Sequence, residues 1–377
     1  MIQVKKGLEN QVNLIKRYSR GRRILIWGAG EFGQEFVLDI EAYGIMVYGF
    51  IDSYKCGQTV LEKYNIYSPD MLEGRKDEYY ICCATNYYKT IEEQLNRYNY
   101  VSVSDYLMLL GRYTVSNICG FFCDEYENSI DCMGANINVT FCGKGSSVKV
   151  GKNCKDVESI KIIMKENSQL VIGDNVLFGR NVKIYVVSGC VELNDGCEIG
   201  DNVEFHCENF SKCVIGARTK ICQCCKVNVY SGGSIVWKRR GVLGENSYFV
   251  VGGEVVIGEN TSFAHDLELR ATPKTYIKIG NECLFSYNVS MRASDGHAIF
   301  DTQSEKCISH NNDVGIIIDD HVWIGMNVSI LYNTIIGKDS IVGALSLVKT
   351  NIPNNCMYAG NPAKLIRENI KWDKSMI

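Results

Sequence analysis

The sequence predicts a mainly β chain: a parallel β-helix preceded by a small α/β, Rossmann-like domain. Three observations carry that expectation. An aliphatic residue recurs every six positions, at Ile318, Ile324, Ile330, Ile336, Val342 and Val348, and Gly325, Gly337 and Gly343 each follow one of them. Four places after each of the first five stands another candidate for the interior: Val322, Val328, Thr334, Ser340 and Ser346. Near the N-terminus, the apolar run RILIW (Arg23 to Trp27) leads directly into GAGEFG. A helix repeats at 3.6 residues and a strand at two, so neither alone gives a period of six. One short strand plus a turn does, and three such units close a triangular coil. A single coil cannot cover its own apolar face, so coils are stable only when stacked. Each inward Ile or Val contributes roughly 1.5–3 kcal/mol on full burial. Gly after the inward residue is read as letting the chain turn without steric cost.

Taken in order, residues 1–21 read as a helical lead-in and Arg23 to Trp27 as a strand. Gly28, Gly30 and Gly33 form G-x-G-x-x-G, opening a helix to about Tyr43, and a second strand, Ile45 to Ile51, ends at Asp52. In that context the glycines permit a tight turn, the helix N-terminus offers N–H groups to a phosphate, and Asp52 can accept from a ribose. The competing reading is a sheet that packs and binds nothing. Tyr79 to Ala84 reads as a further strand and Ile91 to Tyr98 as a helix. Residues 111–130 show no period. Hexads begin near Val148 and continue through Ile172, Phe178 and Ile184, then through sets starting at Leu193, Ile215, Ile257 and Ile279. Two stretches interrupt them and read as extruded loops: 228–253, with Trp237, Lys238, Arg239 and Arg240, and 292–314. Loops on a rigid scaffold are where function concentrates. After Val348 the pattern ends, and an amphipathic tail runs from Leu365 to Trp372. The resulting division is 1–110 (α/β domain), 111–139 (linker), 140–352 (β-helix) and 353–377 (tail).

Composition narrows the function classes. Lys+Arg total 40 against Asp+Glu 43, which argues against a dedicated nucleic-acid binder with its basic face. The first twenty residues lack the apolar core of a signal peptide, and no run reaches the 18 apolar residues of a membrane span, so the expected location is the cytoplasm. There, 18 cysteines are not expected to form a disulfide framework. Cys154, Cys197, Cys225 and Cys283 fall four places after an inward aliphatic, where a small soft side chain fills a tight interior. Cys222, Cys224 and Cys225 cluster without a matching His, so no metal site is expected.

Among candidates for chemistry, His297 stands first. It lies in the 292–314 loop with Asp295 before it and Asp301 four residues on. Histidine titrates near neutrality, and a carboxylate on its other nitrogen would fix the tautomer and stabilise the imidazolium. Spacing alone leaves a role-free surface histidine as an equal alternative. His206, His265 and His321 read as outward-facing and His310 as a loop residue. Trp323 lies between inward Val322 and Ile324, so it should face outward, toward a ligand, another subunit or the overlying loop.

The run DDHVWIGMNVSILYNTIIGKDSIVGALSLVKTNIPNNCMYAGNPAKLIRENIKW resembles the C-terminal coils of hexapeptide-repeat acetyltransferases. The likeness is to sugar O-acetyltransferases of the capsule and lipopolysaccharide type, related to maltose and galactoside acetyltransferases. SDGHAIFD resembles the stretch holding their catalytic histidine, which precedes V-W-I-G by about two dozen residues; here the separation is 26 (323 − 297). The resemblance implies a homotrimer of left-handed β-helices with active sites in clefts between prisms and acetyl-CoA as co-substrate. It implies that His297 deprotonates the acceptor hydroxyl. It also places the coenzyme near Trp323, Gly343 and Ala344 and near Asn361, Pro362, Ala363 and Lys364. The acceptor would be a sugar, a lipid-linked sugar or a surface polysaccharide. Two departures stand out: Ala298 follows the histidine where maltose-type enzymes have proline, and either Asp295 or Asp301 could complete the dyad. The N-terminal domain is similar to the one preceding the β-helix in sugar-nucleotide N-acetyltransferases, although GAGEFG replaces their usual G-G-H-G type. A nucleotide or nucleotide-sugar ligand there, with N-acetylation of a UDP-linked amino sugar, is the alternative. A zinc-dependent γ-type carbonic anhydrase and a non-catalytic β-helix are the remaining rivals.

Overall fold

The computed structural model describes residues 2–84, 88–101, 104–108, 112–124, 127–309 and 313–375; His310 lies outside them. The chain divides into two compact units, 1–113 and 114–377.

The first unit holds α1 (Ile2–Ser19), β1 (Arg23–Trp27), α2 (Glu31–Glu41), β2 (Val47–Ile51), β3 (Thr59–Val60), β4 (Tyr64–Tyr67), β5 (Tyr79–Cys83), α3 (Tyr88–Arg97) and β6 (Tyr106–Met108). Its sheet runs β3-β4-β2-β1-β5-β6, parallel throughout except for the β3–β4 pair. Central strands of a parallel sheet are covered on both faces and therefore read as unbroken apolar runs. Accordingly, Leu25, Ile26 and all of β5 are buried. Alternate residues of β1 feed two cores: Ile24 and Ile26 join Phe36 and Ile40, while Leu25 and Trp27 join Ile91 and Leu95. Strands β3 and β4 carry no sequence signal strong enough to expect them.

The second unit is a β-solenoid of about 14 turns. Residues 111–139, expected as a linker, instead hold β7 (Arg112–Cys123) and most of β8 (Ser129–Cys142). Strand β8 lies beside β7 and starts the stack, its first half pairing with Ser147–Val150 and its second half with Lys161–Lys165. These long strands have no six-residue period because they are not yet coils, which is why the linear pattern misses them. From there each side of the triangle pairs in parallel with the same side one coil on, as in Ile257↔Ile279, Ile279↔Ile318 and Ile318↔Ile336. All six hexad positions from Ile318 to Val348 are buried, as are Val322, Val328, Thr334, Ser340 and Ser346. Polar members of that set are satisfied internally: the Ser340 hydroxyl donates to Pro353 O at 2.7 Å. Cys154, Cys197, Cys225 and Cys283 are buried in the same positions.

Two expectations are corrected. Residues 228–253 are no extruded loop but a regular coil, Ser234–Trp237, Val242–Leu243 and Tyr248–Val251. Trp237 pairs with Ile215 before it and Ile257 after it. An indole in place of an aliphatic residue hid the register. Its Nε1 is buried with no hydrogen-bond partner among the described residues, a cost outweighed by contacts with Phe263 (5.4 Å) and Phe249 (6.3 Å). The hexad glycines are needed for close approach rather than for turning. A Cβ on Gly337 would lie 2.6 Å from Asn354 N, and one on Gly325 2.7 Å from Ala344 N. The left-handed turn falls two residues later, on Asn327 (φ 56°) and Asp339 (φ 60°), residue types that tolerate it. The expected amphipathic tail is in part a strand, Lys364–Arg367, antiparallel to Met357–Ala359.

Candidate active site

The break in the stack at 292–314 is a true extrusion. Chain leaves the solenoid at Arg292 and returns as Val314–Ile318. Its root is fastened to the wall: Ala293 is fully buried and its N–H donates to Arg270 O at 3.0 Å, and Thr272 donates to the Ser294 hydroxyl at 2.9 Å. Next comes Asp295, half-buried, whose carboxylate accepts the hydroxyl of Tyr332 from the turn after Ser329–Leu331; that carboxylate pushes the tyrosine's ionisation upward. Gly296 then takes φ 82°, a left-handed conformation that suits glycine. His297 follows, exposed.

Beyond it the flap folds on itself, with Ile308 N–H donating to Ile299 O and Asp301 N–H to Lys306 O. Asp301 is committed to this small hairpin. One of its oxygens accepts Ser304 N–H and the Ser304 hydroxyl, both at 2.7 Å, and Gln303 N–H at 3.2 Å. The Ser304 hydroxyl, then these backbone donors, hold its carboxyl below the usual range. Ile299, Phe300 and Ile308 face outward.

The coenzyme-side candidates lie on the last coils. Trp323 pairs with Leu284 and Ile341 and is 40% exposed. Gly343 N–H donates to Tyr358 O at 2.8 Å, and exposed Ala344 follows it. The segment Asn361, Pro362, Ala363, Lys364 turns the chain between the two final strands, held by Leu347 N–H to Gly360 O and Ala363 N–H to Leu347 O. Sequence reasoning did not anticipate what covers Trp323. Trp372 returns from the tail, its ring centre 5.9 Å from that of Trp323, and stacks on His321 at 4.1 Å and 6°. The indole N–H donates to His321 O at 2.8 Å, and Nδ1 of His321 lies 2.8 Å from Asp339. Tyr332 was likewise missed; a tyrosine at an outward position leaves no linear trace of its partner.

In the N-terminal unit the glycine loop has the geometry its spacing requires. Gly28 has φ 114°, and a Cβ on Gly33 would lie 1.9 Å from Gly28 O. Gly30 caps α2. Asp52 holds this loop: one oxygen accepts Ala29 N–H at 3.2 Å, the other accepts Tyr54 N–H and Lys55 N–H. Beside them lies a cavity of about 840 Å³ lined by Gly28, Gly30, Asp52, Lys55 and Gln94. Among the described residues no three His, Cys, Asp or Glu side chains gather to hold a metal ion, and no helix is long and apolar enough to cross a membrane.

Residues 20–105 match the model of the C2185-like N-terminal family, and residues 315–350 that of the bacterial transferase hexapeptide (six repeats). A polysialic acid O-acetyltransferase of Escherichia coli O1:K1 is 42% identical over 33% of this chain, and the chain spans only 39% of that relative's length. A crystal structure of a polySia-specific acetyltransferase aligns with 66% of this chain and 89% of its own, at 27% identity and a TM-score of 0.33. The galactoside O-acetyltransferase of Escherichia coli K12 is 31% identical over 37% of this chain and 70% of its own length. The chain therefore belongs to the family of hexapeptide-repeat O-acetyltransferases that includes this galactoside enzyme.

Proposed function

We propose that this protein transfers the acetyl group of acetyl-CoA to a sugar hydroxyl of a bacterial surface polysaccharide or its precursor, with His297 as general base. The observation that carries this reading is the anchored flap. Asp295, tied to Tyr332, precedes a left-handed glycine that turns His297 outward on a rigid wall. Asp295, rather than Asp301, is the dyad carboxylate, because Asp301 is spent on the Ser304 turn. His297 takes the acceptor's proton as the sugar oxygen attacks the thioester carbonyl. Backbone N–H groups stabilise the oxyanion. Collapse breaks the C–S bond, and the imidazolium returns its proton to the departing thiolate.

Trp323, Gly343, Ala344 and Asn361–Lys364 line the coenzyme's path. The functional unit is a homotrimer, in which a neighbouring protomer covers Ile299, Phe300 and Ile308 of the flap; exposed apolar clusters mark such contacts. The test is thiol release from acetyl-CoA with a saccharide acceptor, together with mass spectrometry of the product. An acetyl increment on a hydroxyl supports the reading; release of thiol without an acetylated sugar defeats it.

A second reading is favoured by the cavity at the glycine loop: a nucleotide or nucleotide-sugar bound by Gly28, Gly30 and Gly33 with Lys55 beside the phosphates. Asp52 orders the loop for it. Calorimetric titration of the full chain with UDP and UDP-sugars tests this, and no heat with any of them removes it.

A further inference from the structure

One outer face of the solenoid passes the root of the flap. On it, Tyr185, His206, Asn228, Val250, Arg270 and Arg292 occupy a single register column, one per coil. Five steps at the spacing of paired strands make a column about 24 Å long. Arg292 is its last member before the flap. The column is grooved at mid-length, by a hollow of about 510 Å³ between His206, Glu208, Asn228, Tyr230 and Tyr248 that takes in two of its six members.

We propose that this groove is an acceptor track, along which an extended acidic saccharide lies parallel to the solenoid axis with one end at the flap. The inference rests on the sugar O-acetyltransferase reading and adds to it where the rest of a polymeric acceptor binds.

The chemistry of the groove fits a sugar chain. Pyranose rings present C–H faces to aromatic rings and hydroxyls to side chains that both donate and accept. Tyr185 supplies a ring face with His206 4.5 Å away, and Asn228 donates to the Tyr248 hydroxyl at 3.0 Å, fixing its orientation. Burial keeps His206 neutral by lowering its pKa, and its ring nitrogens have no hydrogen-bond partner among the described residues. Charge favours an anion at the flap end: Glu268 is shared by Arg270 and Arg292 (3.2 Å), which leaves one cation uncompensated. Around the hollow, Lys183 and Lys226 are balanced by Glu204 and Glu208.

The experiment compares oligosialic acid dimer and octamer as acceptors for the full chain and for Tyr185→Ala, His206→Ala and Arg270→Gln. Direct binding of the octamer without acetyl-CoA is measured alongside. The wild type should favour the octamer in kcat/KM, and each variant should lose about tenfold of that preference together with octamer affinity. Preference and affinity equal to wild type in all three would overturn the track. So would a change of oligomeric state in the variants, which would make the face an interface between copies. Octamer binding that the variants lose, with no acetyl transfer by the wild type, would instead keep the track and remove the activity it rests on.

Discussion

The coil Ser234–Val251 closes on Trp237, Leu243 and Phe249, none more than 1% exposed, while the flap turns out Ile299, Phe300 and Ile308 at 48–60%. The wall spends its apolar residues on itself, coil upon coil. The flap leaves about half of each of these side chains exposed and is held by a few polar contacts at its root. Such a division lets one part be rigid and the other adapt to ligands and neighbours. It also predicts that damage to wall and flap will be read by different instruments.

The largest separation is expected in turnover. His297→Ala should lower kcat by on the order of 10²–10⁴, with coenzyme affinity and thermal midpoint near wild type. A variant that turns over normally would remove the base and leave the fold intact. Thiol chemistry should also distinguish the regions sharply. Burial pushes Cys225 up to about 12 and Cys283 to about 11, whereas exposed Cys307 of the flap is lowered by the Ser309 hydroxyl. Because the thiolate is the nucleophile, brief iodoacetamide treatment near pH 8 should label Cys307 and spare the interior pair, as mapped by peptide mass spectrometry. Equal labelling would mean that the wall opens.

Within the wall, Trp237→Ala should cost about 3–5 kcal/mol from the cavity it leaves, measured by denaturant unfolding. Trp237→Phe should cost clearly less, because it also removes the unpartnered indole N–H. Smallest is the joint between the two regions. Tyr332→Phe should lower kcat roughly tenfold by freeing Asp295 while leaving unfolding almost unchanged. A carboxylate that loses a donor holds an imidazolium more strongly, so the acid limb of the pH–rate profile should move to higher pH. An unmoved profile would make Tyr332 a strut only.

The hexads were legible because a solenoid is nearly one-dimensional: each inward residue meets its counterpart one coil away, so period in the chain is neighbourhood in space. The six-residue period alone places Ile318, Ile324 and Ile330 inside. It does not place Trp237, whose size masks a position that only strand pairing with Ile215 and Ile257 reveals. The glycine loop at Gly28 was equally readable, because its contacts are local. His297 was singled out by type and by likeness, but spacing could not choose between Asp295 and Asp301. Sequence by itself thus determined the repeat, the interior and the position of the flap, all set by local sterics and burial. Only the tertiary structure decided that Tyr332 holds Asp295, that Trp372 folds back over His321, and that Tyr185 and Arg292 share one column. Those pairings join residues separated by whole coils, where no period in the chain records which side chains will meet.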